Sequence, residues 1–251
     1  MVKEVALEAR ELNKSFGGLT ATDNLSIEVA RGEIHAVIGP NGAGKTTFVN
    51  VLSGLLKPDS GEILFAGRDV TLLSAAARVR QGLARSFQIT SIFRDFTTLE
   101  NVMLSVQAGQ GHSFRFWAPT ARDKSLREPA VDLLERVGLG DRVDVTAGNL
   151  AHGEQRQLEI AISLATNPSF LLLDEPMAGM GPEESQGMID FLKVLKGSYT
   201  MLLVEHDMDA VFALADRITV LVYGKAIATG TPDEIRNDAA VRAAYLGEEA
   251  V

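Results

Sequence analysis

An apolar pentapeptide, Ile34-His35-Ala36-Val37-Ile38, runs into Gly39-Pro40-Asn41-Gly42-Ala43-Gly44-Lys45-Thr46, and an amphipathic stretch from Thr46 to Leu56 follows. The order is strand, G-x-x-x-x-G-K-[ST], helix. Glycines let successive backbone N–H groups curl around an anion. The helix behind them adds partial positive charge. Gly39, Asn41, Gly42 and Gly44 are therefore candidate cradle residues for a nucleotide phosphate. Lys45 can reach the β- and γ-phosphates, Thr46 offers a hydroxyl to Mg2+, and Thr47 a second hydroxyl to phosphate. ATP and Mg2+ are the cofactors this chemistry expects. A glycine-rich turn matching by chance would need neither the strand before it nor the helix after it.

Phe170-Leu171-Leu172-Leu173-Asp174-Glu175 is an apolar strand ending in two carboxylates. A Mg2+-nucleotide site needs an acid at such a strand end. Asp174 is the candidate metal ligand, orienting the Mg2+ shell through water. Glu175 is left to polarise the attacking water as general base. Taken alone, two acids closing a strand at a solvated turn would explain the pattern as well. Val204-Glu205-His206-Asp207 repeats it at another strand end, and His206 is a candidate sensor of the γ-phosphate. A surface histidine at a strand-to-helix turn is the plainer alternative.

Leu25 to Val29 alternates with period two, as an antiparallel strand with one wet face does. Gly61 to Ala66 is a further strand, with a turn at Gly67-Arg68-Asp69. Helical patterns dominate from about residue 90 to 165: Thr98 to Val106, Lys124 to Val137 and Gln155 to Ala165, with an irregular stretch from Ala108 to Thr120. Strand–helix alternation then returns, with Glu184 to Leu195 as a helix, Ile218 to Tyr223 and Lys225 to Ala228 as a hairpin around Gly224, and helices over Pro232 to Asn237 and Ala239 to Leu246. The expected fold is α/β: a phosphate-loop NTPase core with an antiparallel β subdomain and an inserted α-helical subdomain. As one domain over 1–251, the core takes 1–89 and 166–251, and the helical lobe 90–165.

The net charge of -9 argues against nonspecific binding to nucleic acid. The absence of cysteine rules out disulfides and thiolate metal sites. No apolar run approaches the ~20 residues of a membrane span, and the N-terminal residues lack the apolar core of a secretory signal. Work at a membrane would require another chain to hold this one there.

Five features fall in order: the phosphate loop, Gln88 in Arg85-Ser86-Phe87-Gln88, Leu150-Ala151-His152-Gly153-Glu154-Gln155, Leu172-Leu173-Asp174-Glu175-Pro176, and His206. Over almost its whole length the chain resembles the ATP-binding subunits of ABC transporters. The resemblance implies a head-to-tail dimer with a second ATPase subunit, identical or homologous. Each ATP then lies between one phosphate loop and the other subunit's signature segment. Ala151, His152, Gly153 and Glu154 would contact the nucleotide across that dimer. Phe16 would stack on adenine, although a lone Phe near a strand end is more often core. Gln88 would ligate Mg2+. Thr90 to Leu99, with Phe93 and Phe96, would form the groove for a short helix of a transmembrane permease, with packing inside the lobe as the alternative. A periplasmic solute-binding protein would take part indirectly, and the chain would sit peripherally on the cytoplasmic face of the bacterial inner membrane.

Three departures from the family pattern stand out. Ala151 lacks the usual hydroxyl, His152 adds bulk and a titratable group, and Gly181 replaces the more common Asp, removing a carboxylate that helps link opposing sites. The run from Leu150-Ala151 through Gly153 and Gln155-Arg156 to Leu158-Glu159-Ile160-Ala161, the Ala178-Gly179-Met180 turn, the insertion at 106–120 and Ala244-Tyr245-Leu246-Gly247-Glu248 resemble the importers of branched-chain and other hydrophobic amino acids. An ATPase of an export or lipid-extraction system is the alternative function. A soluble ABC ATPase fits less well, since this chain has a single cassette and only a short insertion.

Overall fold

The computed structural model describes residues 4–86, 92–110 and 123–243. Two sheets share the chain. Strands β1 (Val5–Phe16), β2 (Leu19–Ala30), β4 (Ser60–Phe65) and β5 (Arg68–Asp69) make an antiparallel sheet ordered β2-β1-β4-β5. The second sheet runs β10 (Lys225–Gly230), β9 (Arg217–Val222), β3 (Ile34–Ile38), β8 (Thr200–Val204), β7 (Phe170–Asp174), β6 (Leu83–Arg85). All its pairings are parallel except β9 with β10.

Every residue of β3, β7 and β8 is buried, so these strands are apolar throughout rather than alternating. Period two survives in which core each residue joins. Phe170 and Leu172 pack with the antiparallel sheet and helix α1 (Lys45–Leu52), whereas Leu171 and Leu173 pack with the helical layer. That layer holds α3 (Thr98–Gly109), α4 (Lys124–Arg136), α5 (His152–Leu164) and α6 (Pro182–Leu195). Helices α7 (Met208–Leu214), α8 (Pro232–Asn237) and α9 (Ala239–Val241) cover the β9 end.

Local chemistry sets several boundaries away from those the sequence suggests. Helix α5 starts at His152, not Gln155, because the Glu154 carboxylate reaches back to accept the Ala151 N–H at 2.9 Å and closes a first turn there. Helix α6 starts at Pro182 for a similar reason, with Glu184 accepting the Gly181 N–H. The expected turn at Gly67-Arg68-Asp69 is tighter: Ala66 and Gly67 take positive φ, and Arg68 and Asp69 pair back onto β4 as β5. Helix α1 ends at Leu52 rather than Leu56. Short helix α2 (Ala75–Arg80) and helix α7, capped by Asp207, were not legible as periodic runs.

Helix α1 stops where Gly54 takes a left-handed φ of 77°, and helix α2 secures that end. Arg78 is buried, and its guanidinium donates to the carbonyls of Val51 (2.8 Å) and Leu52 (2.6 Å) at the end of α1 and of Thr71 (2.8 Å) in the connecting loop. Burial lowers its pKa against the pull of Asp69. We predict that Arg78→Met leaves the Leu52 and Thr71 carbonyls without this donor, the Val51 carbonyl keeping the Gly54 N–H, and costs about 3 kcal/mol of folding free energy. Arg78→Lys, lacking the planar fork, should recover only part. Urea unfolding measures both, and an unchanged midpoint for Arg78→Met would contradict the capping role.

Candidate active site

The register of three strands assembles the site. Val37 of β3 pairs with Val204 of β8, which pairs with Asp174 of β7. The strand ends are therefore level, and Gly39, Glu175 and Glu205-His206 leave the same carboxyl edge, where open α/β sheets place their ligands.

Gly39 and Gly44 have no tolerable substitute. A Cβ on Gly39 would lie 2.2 Å from the Leu221 carbonyl oxygen, and one on Gly44 2.0 Å from that of Ala21. Gly44 is also the N-cap of α1 in a left-handed conformation at φ 99°. The loop is held from outside by the β9–β10 turn. Gly224 donates its N–H to Ala43 O at 3.0 Å, and Asp23 donates to Gly224 O at 2.9 Å. Lys45 folds under the loop and donates to the carbonyls of Gly39 and Pro40. Burial lowers its pKa, opposed by Glu175 and Asp174, so both acids act on this ammonium.

Phe16, Asn41, Gly42, Gly44, Lys45, Thr46, Thr47 and Glu175 line one cavity of about 260 Å³. Half of Phe16 is exposed, so its ring is a wall of this cavity and not core. A larger depression of about 860 Å³ lies elsewhere, but its charged lining is four glutamates against two arginines, and it would repel phosphate.

Asp174 is buried and raised in pKa by that burial, with Arg85 opposing. Arg85 was passed over in the sequence. Its guanidinium donates to Asp174 Oδ2 at 2.8 Å, to Asn50 Oδ1 at 2.7 Å and to Ser53 Oγ at 3.0 Å. It therefore ties the β7 acid to α1. Glu175 adopts left-handed φ 49°, a strained conformation for a side chain of this type. Its N–H donates to Val204 O at 2.8 Å, which pins the backbone. Glu205, also passed over, is fully buried and accepts N–H bonds from Met177 (2.9 Å) and His206 (3.1 Å). It fixes the segment after Glu175 against the start of the His206 turn. The His206 side chain itself is mostly exposed.

The signature segment lies at the start of α5. Ala151 has no side-chain cap, His152 is exposed, and the His152 ring lies over Gly179, where a Cβ would meet its Cε1 at 3.4 Å. The segment thus touches the turn that follows Glu175. Gln88 lies outside the described residues, as do residues 244–248 and 111–120 of the insertion. Phe93 and Phe96 stack at 5.3 Å between centroids, and both are exposed.

The profile of the ABC transporter family matches residues 22–178, and that of the branched-chain amino acid ATP-binding cassette transporters matches residues 227–251. The chain belongs to the ABC transporter family. It is an ATP-binding cassette, an ATPase with the α/β phosphate-loop fold. The cassette is 41% identical over 249 residues to the high-affinity branched-chain amino acid transport ATP-binding protein LivG of Salmonella typhimurium, covering 96% of this chain and 98% of that one. It is 37% identical to BraF of Pseudomonas aeruginosa, described in the same words, with the same two coverages. Among solved structures, the ADP conformation of MJ1267, an ATP-binding cassette of an ABC transporter, superposes with a TM-score of 0.86 at 32% identity, covering 97% of this cassette and 99% of that chain. A nucleotide-free cassette from an ABC transporter gives 0.85 at 32% identity, with coverages of 96% and 98%.

We predict that Arg85→Met strands the buried Asp174 carboxylate and destabilises the cassette by about 3 kcal/mol or more. Adding Asp174→Asn should then return part of that loss, because no buried charge remains. Chemical denaturation of the two variants decides it, and strictly additive losses would rule out the pairing.

Proposed function

We propose that this cassette is the ATP-hydrolysing subunit of an importer of branched-chain amino acids, working as one domain with residues 90–165 as its helical lobe. The observation that supports the hydrolytic part is the level register of β3, β8 and β7, from whose shared edge Gly39, Glu175 and Glu205-His206 leave the sheet. The transport part rests on likeness to LivG and BraF over 96% of the chain.

In this reading Phe16 stacks on adenine. The amides of Gly39, Asn41, Gly42 and Gly44 and the hydroxyl of Thr47 hold the phosphates. Lys45 exchanges its loop carbonyls for β- and γ-phosphate oxygens. The oxygen donors suit a hard cation: Thr46 lines the cavity, and Asp174 lies close enough to Lys45 to act on its charge. Thr46, Asp174 and Gln88 would hold Mg2+, which would supply neutralisation of phosphate charge. Glu175, pinned in its strained conformation, takes a proton from the attacking water, and His206 contacts the γ-phosphate. Ala151, His152, Gly153 and Glu154 face the ATP of a second cassette, identical or homologous, in a head-to-tail dimer.

Among the described residues no helix is long and apolar enough to cross a membrane. Permease subunits therefore provide the span in this reading, docking at the Phe93–Phe96 face, on the cytoplasmic side of a bacterial inner membrane. A periplasmic solute-binding protein delivers the amino acid.

Glu175→Gln is expected to keep ATP affinity and to lower turnover at least a hundredfold. Turnover near that of the native chain would remove Glu175 as general base. Lys45→Ala should lose nucleotide affinity by calorimetry, and an unchanged Kd would remove Lys45 from the phosphate site. Copurification from membranes with a multi-span permease is the expected assembly. Recovery with ribosomes and no permease would overturn the transport reading.

A further inference from the structure

The signature segment carries a carboxylate, Glu154, on the turn that would face a triphosphate. A second acid is close by. Glu184 Oε1 lies 3.5 Å from where a Cβ on Gly153 would stand. Two carboxylates beside the amides of α5 would oppose the attraction that a helix N-terminus exerts on phosphate.

The structure answers this at Glu154. One of its oxygens accepts the Ala151 N–H, and the other accepts the Arg142 Nε at 2.8 Å. Burial raises the Glu154 pKa, but the Ala151 amide and Arg142 outweigh it, and the group is lowered overall. Arg142 is not a drifting surface side chain at its root. It closes a 3-10 turn, Gly140–Arg142, with its N–H on Leu139 O and its carbonyl accepting from Val145 N–H, both at 3.0 Å. Leu139 is buried against the helical core and donates to Leu134 O at the end of α4. The turn thus brings a half-exposed guanidinium, held by its bond to Glu154, to the signature segment of the same subunit.

We propose that Arg142 is a positioning residue of the shared ATP site. It neutralises Glu154 in cis, so that the start of α5 presents a positive face to the phosphates of ATP bound on the opposing cassette. The proposal rests on the head-to-tail dimer put forward above. Arg142 itself need not touch nucleotide. It also gives Glu154 a reason to hold its backbone cap: the carboxylate is turned to Ala151 and Arg142 instead of to the incoming phosphate.

The test is a charge cycle in the Glu175→Gln background, with ATP-dependent association of the cassette with itself or with its copurifying second cassette measured by sedimentation. Arg142→Ala should weaken association roughly tenfold in 0.1 M salt, as expected for one uncompensated charge near phosphate. The defect should shrink in 0.5 M salt, while ATP affinity of the separate chain stays unchanged. Adding Glu154→Gln to Arg142→Ala should restore association, because the amide oxygen still caps Ala151 but carries no charge. If the double variant is as weak as Arg142→Ala alone, Arg142 only supports the turn and the proposal fails. Association unaffected by Arg142→Ala overturns it as well. Absence of ATP-dependent association with Arg142 and Glu154 both native is a different result: it removes the shared site itself, and the role of Arg142 with it.

Discussion

The hydrogen-bonded register β3–β8–β7 is the constraint on which the rest depends. Successive residues of a strand face opposite sides of the sheet, so a slip of one residue would move Asp174 from the α1 face to the helical face. It would also take Glu175 away from Lys45. The register is strongly specified because both faces are buried, by different cores. Packing of Phe170 and Leu172 on one side, and of Leu171 and Leu173 on the other, therefore places Asp174 and Glu175. Chemistry at the edge is a consequence of apolar burial in the middle.

Buried polar groups then lock what the register brings together. Arg85 bridges Asp174 to Asn50 and Ser53, so the end of β7 is tied to α1. Glu205 holds the amides of Met177 and His206. The Gly224 turn holds the loop through Ala43. Each of these groups is costly to bury alone and has at least one partner from a distant part of the chain. That makes the site rigid at its base, while Phe16, His206 and the start of α5 remain exposed.

Much of this was legible in the sequence, for identifiable reasons. The phosphate loop, the apolar run to Asp174-Glu175 and the strand before His206 are local patterns, and the structure sets them at one sheet edge. The helices that begin at Thr98 and Lys124 also read correctly, since their periodicity is local. What could not be read depends on pairing at long range. Arg85 and Glu205 look like ordinary charged residues until β6 is placed beside β7 and β7 beside β8. The start of α5 was missed because Glu154 caps backwards onto Ala151, a signal hidden by the absence of a hydroxyl at the cap. The turn at Tyr223-Gly224 reads as a hairpin, yet nothing in the sequence says that it clamps the phosphate loop.

The central claim is that this edge is half of a catalytic site, finished by the signature segment of another cassette. The most direct measurement is ATP turnover per chain as the concentration of cassette is varied. The account predicts that specific activity rises with concentration of this chain, or on titration with its second cassette, and levels off once pairs are saturated. Turnover per chain that is substantial and constant from the most dilute solution upward would mean that one subunit completes its own site, and would contradict it.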